Sequence, residues 1–315
     1  RPLFEMLSAI AKKALCRVPK RRYATVAPRM KIDTIGVLGA GQMGGGIAQV
    51  AAQIAKKNVI LVDLNKAAVE KAIAFMDSNM KKQVAKGKLE DSVRVETISR
   101  ITGTSTVGDL SKADFVIEAV TENPVLKNKI FGELSELCDP SVILASNTSS
   151  ISITKIAAAT NRPDRVIGMH FMNPVPVMKL VEIIPGLQTS DVTLQTTLAL
   201  AQGMDKVTTL SKDQPGFIAN RLLMPYINEA VFALAESLGT REDIDTTMKL
   251  GTNMPMGPLT LADFIGLDTC LAIMRILHTE LGDSKYRPSP LLVKYVEAGW
   301  LGKKVGRGFY EYPTA

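Results

Sequence analysis

The chain has 315 residues, 46% of them hydrophobic and 22% charged, which fits two domains and the composition of an ordinary soluble enzyme. It has no apolar run of about 18 residues, and its three cysteines lie far apart, so we expect no integral membrane span, no disulfide framework and no metal site. The net charge of +7 arises in residues 1–32, with nine basic residues and one acid; the remaining 29 basic and 30 acidic residues nearly balance, which argues against nucleic-acid binding.

Residues 1–30 are predicted to be a mitochondrial transit peptide. Leu3, Leu7 and Ile10 recur at helical spacing, cationic residues occupy the other face, and acids are almost absent. Residues 21–25 resemble a matrix-processing junction, so we expect the mature protein to begin near residues 24–30, in the mitochondrial matrix. A disordered basic arm and an amphipathic helix on a membrane surface are the alternatives.

The next segment alternates short apolar runs with helical patterns. The runs lie at residues 32–38, 58–62, 115–117, 142–144 and 166–169, and the main helical patterns at 42–53, 67–88 and 127–138. Short apolar runs separated by helices are typical of parallel strands in a doubly wound sheet. The pattern therefore predicts an α/β fold, with a Rossmann-like doubly wound parallel sheet in a first domain over residues 31–212.

A dinucleotide-binding turn is predicted directly after the first strand. The spacing G-x-G-x-x-G falls between that strand and a helix of small residues, and Asp63 ends the next strand. The helix N-terminus would stabilise a pyrophosphate, and a carboxylate on the ribose would repel the 2′-phosphate of NADP. An ordinary glycine turn is the alternative. We expect NAD as the cofactor, bound by Gly39, Gly41, Gln42, Met43, Gly44 and Asp63.

A hydroxyl, an imidazole and a carboxylate follow later strand-like runs. Ser149 comes after residues 142–144, His170 directly follows residues 166–169, and Glu182 is a lone acid in an apolar run. Ligands bind beyond the carboxyl ends of parallel strands. A neutral imidazole can accept the proton of an alcohol, and a buried carboxylate can stabilise the resulting cation. These residues predict a site for dehydrogenation of an alcohol.

Each of these residues also has a structural interpretation. Ser149 could cap a helix that begins near residues 150–152, His170 could be a core histidine, and Glu182 could pair with Lys179. Because all three occur at consecutive strand ends, we favour the catalytic interpretation.

The last segment, residues 213–315, shows no strand-like period. Its helical patterns lie at residues 217–237, 241–250, 259–280 and 290–298. We expect a second, all-helical C-terminal domain over these residues.

Longer motifs lie in both predicted domains. They are Ser146-Asn147-Thr148-Ser149-Ser150, His170-Phe171-Met172-Asn173-Pro174 and onward to Glu182, Pro215-Gly216-Phe217-Ile218-Ala219-Asn220-Arg221, Met256-Gly257-Pro258, Asp263-Phe264-Ile265-Gly266-Leu267-Asp268 and Gly306-Arg307-Gly308-Phe309-Tyr310. These motifs resemble the L-3-hydroxyacyl-CoA dehydrogenase family. The resemblance covers about residues 32–312, and residues 282–288 and 299–302 are typical of its short-chain, 3-hydroxybutyryl-CoA branch.

The resemblance implies a homodimer that oxidises L-3-hydroxyacyl-CoA to 3-ketoacyl-CoA with NAD. It also implies that the helical domain, residues 213–315, takes part in substrate binding and dimerisation. It implies that His170 is the general base, that Glu182 orients it, that Ser149 bonds the substrate hydroxyl, and that Asn220 lies near the substrate carbonyl. Candidate cofactor contacts are Glu122, Lys127, Ser149, Asn173 and Lys304. Candidate CoA contacts are Ser78 and the lysines that follow it, Lys86 among them, although these lysines could also form an ordinary solvated helix face.

Two other functions remain open at this point. One is a related hydroxy-acid dehydrogenase of the same superfamily. The other is a crystallin-like structural protein that binds NAD without turnover, and such a protein would tolerate loss of the His170–Glu182 pair.

Overall fold

The computed structural model describes residues 30–313. The predicted transit peptide lies outside these residues, except for Met30. No helix in the described part of the chain is long and apolar enough to cross a membrane.

The strands of the described residues form one eight-stranded sheet in the order β3-β2-β1-β4-β5-β6-β7-β8. The order of the first six is that of dinucleotide-binding domains. All neighbours are parallel except β6 and β7, which are antiparallel. The strands are β1 (Thr34–Leu38), β2 (Asn58–Val62), β3 (Ile101–Thr104), β4 (Phe115–Glu118), β5 (Ile143–Ser146), β6 (Val166–Phe171), β7 (Leu180–Pro185) and β8 (Val207–Leu210).

Helices cover both faces of this sheet. They are α1 (Gln42–Gln53), α2 (Lys66–Ala85), α3 (Asp91–Ser99), α4 (Pro124–Leu137), α5 (Ile153–Ala157) and α6 (Asp191–Gly203). Side chains of α1, α2 and α6 share one apolar core with the strands, and side chains of α4 and α5 share the other. The predicted doubly wound α/β fold is confirmed. Strands β7 and β8 run opposite to the other six, which is the departure from an all-parallel sheet.

From residue 219 onward the described elements are helices and short 3₁₀ turns, with a third apolar core of their own. The helices are α7 (Ala219–Ala235), α8 (Arg241–Gly251), α9 (Pro258–Ile265), α10 (Leu267–Leu281) and α11 (Pro290–Glu297). The single helical pattern predicted over residues 259–280 was wrong in one respect. Gly266, with φ of 104°, divides it into α9 and α10, because a helix cannot continue through that conformation.

Asp263 on α9 holds residues 309–312 against this helical domain through hydrogen bonds. Its carboxylate accepts hydrogen bonds from the N–H groups of Phe309 and Tyr310, both at 2.9 Å, and from the hydroxyl of Tyr312 at 3.0 Å. Burial raises the pKa of Asp263 despite these donors. The C-terminal segment therefore packs as part of the helical domain.

Candidate active site

His170 and Glu182 lie opposite each other on the antiparallel strands β6 and β7. His170 Nδ1 is 2.9 Å from Glu182 Oε2, and the Glu182 side chain is 1% exposed. An ionised carboxylate can only accept a hydrogen bond, so a neutral imidazole in this position donates through Nδ1 and keeps the lone pair on Nε2. The structure thus brings together the predicted base and its carboxylate, with Nε2 as the nitrogen that can take a proton.

The other carboxylate oxygen of Glu182 is hydrogen-bonded to the first residues of the helical domain. Glu182 Oε1 accepts hydrogen bonds from the N–H groups of Ile218 and Ala219, both at 3.0 Å, at the N-terminus of α7. A helix N-terminus stabilises a negative charge. The alternative partner, Lys179, pairs with Asp205 instead. The orientation of the Glu182 carboxylate therefore depends on both domains.

Phe217 covers the imidazole just before α7 begins. Its ring centroid lies 5.9 Å from that of His170, with the two planes inclined by 59°. Gly216 and Phe217 both have positive φ, 75° and 49°, which turns the chain sharply onto the histidine. Phe217 was not among the predicted site residues, because only the folded turn brings its ring to His170.

The segment that follows β5, residues 147–150, is called the serine loop. Asn147 Oδ1 accepts from the N–H of Phe171, beside His170, at 2.9 Å. Asn220 Nδ2 donates to the carbonyl of Ser149 at 3.2 Å. Ser149 does not cap a helix, since α5 begins at Ile153 with Ser152 as its capping residue. The predicted Ser149 and Asn220 are therefore in contact, Ser149 in the loop that bonds to the end of β6 and Asn220 in the first turn of α7.

Glu122 anchors the serine loop through a single oxygen. Glu122 Oε1 accepts from the hydroxyls of Thr148, Ser149 and Ser150 at 2.6, 3.1 and 3.0 Å, and from the N–H groups of Ser149 and Ser150 at 2.8 and 3.1 Å. Burial opposes the charge of Glu122, but the nearby Lys127 ammonium and these donors outweigh it and lower its pKa. This anchoring role is additional to the predicted cofactor contact.

Lys127 lies beneath the loop in a buried ion pair. Its side chain is 1% exposed, and its Nζ is 2.5 Å from Glu118 Oε1 and 3.5 Å from Glu122 Oε2. Glu118 was not predicted as a site residue. The signal available was a single acid ending the apolar run of β4, but its partner lies on another element and could not be identified from the sequence.

The glycine turn after β1 fits the phosphates of a dinucleotide. A Cβ on Gly39 would lie 2.6 Å from the carbonyl oxygen of Ala119, and one on Gly44 would lie 1.8 Å from that of Gly39, so both positions need glycine. Gly41, at the N-terminus of α1, faces open space and provides no side-chain cap. The first N–H groups of α1, including that of Met43, are thus available to an anion.

Side chains around this turn are held close to it. Asp63 Oδ2 accepts from the N–H of Ala40 at 2.9 Å, which places the carboxylate beside the turn. Gln42 Nε2 donates to Asn173 Oδ1 at 3.0 Å. These candidate cofactor residues lie together at the carboxyl end of the sheet. Lys304 pairs instead with Asp268 in the helical domain, at 2.6 and 2.7 Å, and its cofactor contact stays a prediction.

A cavity of about 790 Å³ opens between α1, α2 and the segment of residues 173–177. From α2 it is lined by Lys71, Phe75, Asn79 and Lys82, among others. Ser78 and Lys86 are exposed on and just after the same helix but do not line this cavity. Their contacts with CoA stay predictions.

Comparisons with known proteins agree with this geometry. Residues 34–214 match the NAD binding domain of 3-hydroxyacyl-CoA dehydrogenase, and residues 216–312 match its C-terminal domain. The chain is 55% identical, over 90% of its length and 98% of the relative's, to a probable 3-hydroxybutyryl-CoA dehydrogenase of Bacillus subtilis. It is 41% identical to the human mitochondrial hydroxyacyl-coenzyme A dehydrogenase, with coverages of 91% and 93%.

A solved structure shows the same likeness in three dimensions. The (S)-3-hydroxybutyryl-CoA dehydrogenase from Ralstonia eutropha superposes with a TM-score of 0.87 at 51% identity, and the match covers 90% of this chain and 100% of that one. Both domains are therefore included in the likeness.

Proposed function

We propose that this chain, which belongs to the 3-hydroxyacyl-CoA dehydrogenase family, prefers short acyl chains such as that of 3-hydroxybutyryl-CoA. It is an NAD-dependent oxidoreductase that converts L-3-hydroxyacyl-CoA to 3-ketoacyl-CoA. The observation that carries the proposal is the His170–Glu182 pair at the carboxyl end of β6, with the serine loop bonded to the neighbouring Phe171 and, through the carbonyl of Ser149, to Asn220. The preference for short chains is supported by the names of the bacterial relatives.

The chemistry follows from the groups at this edge. Bound NAD supplies the hydride acceptor. His170 Nε2 takes the proton of the substrate hydroxyl, while Nδ1–H remains bonded to Glu182, whose charge stabilises the imidazolium. Ser149 bonds the substrate hydroxyl, and Asn220 lies near the substrate carbonyl. In the reverse reaction His170 returns the proton to the same oxygen.

The substrate preference is tested by a series of 3-ketoacyl-CoA esters with NADH. We expect kcat/KM to be highest for acetoacetyl-CoA and to fall by about tenfold or more for long chains, because a pocket shaped for a short chain excludes added methylenes. Free hydroxy acids should not be turned over with NAD. Turnover of a free hydroxy acid alone would indicate the other dehydrogenase, and NADH binding without turnover would indicate a binding protein.

Asp63 is expected to set the preference for NAD over NADP. Its carboxylate lies beside the glycine turn and would repel a 2′-phosphate. Asp63→Asn keeps an acceptor for the Ala40 N–H but removes the negative charge. The ratio of kcat/KM with NADH to kcat/KM with NADPH should therefore fall by about tenfold. Asp164→Asn, on the amino-terminal side of the sheet, is the matched control. Equal use of both cofactors by the unchanged protein would contradict the assignment.

We further propose a homodimer formed through the helical domain. Apolar side chains that would favour burial are exposed there, such as Leu222 on α7 at 69% and Leu250 on α8 at 81%. The proposed division, with the sheet domain at residues 31–212 and the helical domain at 213–315, places these side chains in the second domain. A monomer mass by light scattering at micromolar concentration would contradict the dimer.

We also propose that residues 1–30 direct the protein to the mitochondrial matrix. The support is the cationic, amphipathic composition of that segment, and the human relative carries a mitochondrial name. Relatives from Bacillus subtilis and Bradyrhizobium diazoefficiens are bacterial, so the proposal rests mainly on the composition of the segment. A reporter fused to residues 1–30 that stays in the cytosol would contradict this proposal.

A further inference from the structure

A buried pair of charges beneath the serine loop takes no part in the chemistry described above. Glu118 and Lys127 are 0% and 1% exposed, and Oε1 and Nζ lie 2.5 Å apart. Moving both charges out of water costs free energy, and an apolar pair of similar volume is often at least as stable. A contribution to the stability of the fold is therefore a weak explanation for the presence of this ion pair at the carboxyl end of the sheet.

The hydrogen bonds of Glu118 join the two strand ends that lead into the site. Its Oε1 also accepts from the N–H of Val120 at 2.7 Å, and its Oε2 accepts from Ser146 Oγ at 2.6 Å. Ser146 lies directly opposite Glu118 on β5, and its hydroxyl accepts in turn from the N–H of Thr148 at 3.2 Å. One carboxylate thus fixes the end of β4, the end of β5 and the first turn of the serine loop.

Lys127 connects Glu118 to a second carboxylate, that of Glu122. Its ammonium lies between Glu118 and Glu122, and Glu122 holds the serine loop through the bonds described above. Ser149 Oγ, 3.1 Å from Glu122 Oε1, is at the far end of the series. If Glu118 lost its charge, the ammonium would turn wholly to Glu122 and compete with the loop donors for that carboxylate.

We propose that Glu118 is a positioning residue for the reaction: through Lys127 and Glu122 it fixes the serine loop, and with it the Ser149 hydroxyl that bonds the substrate. Glu118 acts without touching the substrate or the cofactor. The inference rests on the proposed role of Ser149. It does not involve the His170–Glu182 pair.

The test is a double-mutant cycle between Glu118→Gln and Ser149→Ala, with kcat/KM for acetoacetyl-CoA and NADH as the readout. We expect Glu118→Gln to lower kcat/KM by about tenfold in the otherwise unchanged protein, and by less than about twofold once Ser149 is Ala. A purely structural role would give the same loss in both backgrounds. Glu133→Gln removes an exposed carboxylate from α4, the helix of Lys127, and should change neither value.

Equal losses in the two backgrounds would overturn the proposal, and so would Ser149→Ala with unchanged activity. Ser146→Ala removes the hydroxyl between Glu118 and Thr148 and is measured in the same cycle, in case Glu118→Gln does not fold. It should show a smaller loss that also depends on Ser149, and an additive loss would again contradict the proposal. The substrate series tests the proposed function separately, because it uses the unchanged protein.

Discussion

His170→Gln is expected to lower kcat by about two to four orders of magnitude, the usual contribution of a general base. Glutamine can still bond to Glu182 across the strand pair, so the fold and the cofactor turn should be preserved. It cannot take a proton at the position of Nε2. The measurement is kcat with saturating NADH and acetoacetyl-CoA, together with NADH affinity by fluorescence, which should change little.

The other histidine provides the matched control. His278 is exposed near the end of α10, and His278→Gln should leave kcat and NADH affinity unchanged. Near-normal turnover in His170→Gln would remove the histidine from the mechanism and contradict this interpretation of the site.

Glu182→Gln is expected to lower kcat by about three to four orders of magnitude, the scale seen when the carboxylate of a catalytic triad becomes an amide. The glutamine oxygen should stay with the N–H groups of Ile218 and Ala219, which need an acceptor. Its NH₂ group then faces His170 Nδ1, which must accept, so the imidazole proton moves to Nε2. The base is left in place but in the wrong tautomer.

This explanation has its own readout. The ¹⁵N shifts of the imidazole should show Nε2 protonated in Glu182→Gln and Nδ1 protonated in the unchanged protein. NADH affinity should be retained, and Glu133→Gln on α4 serves as the control for loss of an exposed carboxylate. An unchanged tautomer with reduced kcat would show that Glu182 acts in another way.

The fold could be predicted where apolar runs were long enough to be read. β1, β2 and β6 lie where the apolar pattern placed them, because each strand is buried on both faces. β3 and β8 were missed, since Ile-Thr-Gly-Thr and Val-Thr-Thr-Leu are short and polar, and their strand geometry depends on pairing with a neighbour. The direction of β7 is not encoded in its apolar run, because parallel and antiparallel strands with two buried faces have the same pattern.

The sequence was enough to predict those site residues whose own side chains are suited to the reaction. His170 and Ser149 stood out as polar groups that follow apolar runs, and Glu182 as a lone acid within one; the structure places all three near the carboxyl end of β6. The supporting contacts could not be predicted. Glu118 contacts Lys127 and Ser146 only after β4, β5 and α4 have packed together. The spacing of these residues in the sequence does not predict such contacts.

The pairing of β6 with β7 limits where the chain can accept an inserted residue. His170 and Glu182 share one rung of the ladder. Side chains alternate between the faces of a sheet, so sliding β7 by one position would move the carboxylate to the opposite face. An insertion within β7 should therefore abolish activity, even where the enzyme still folds.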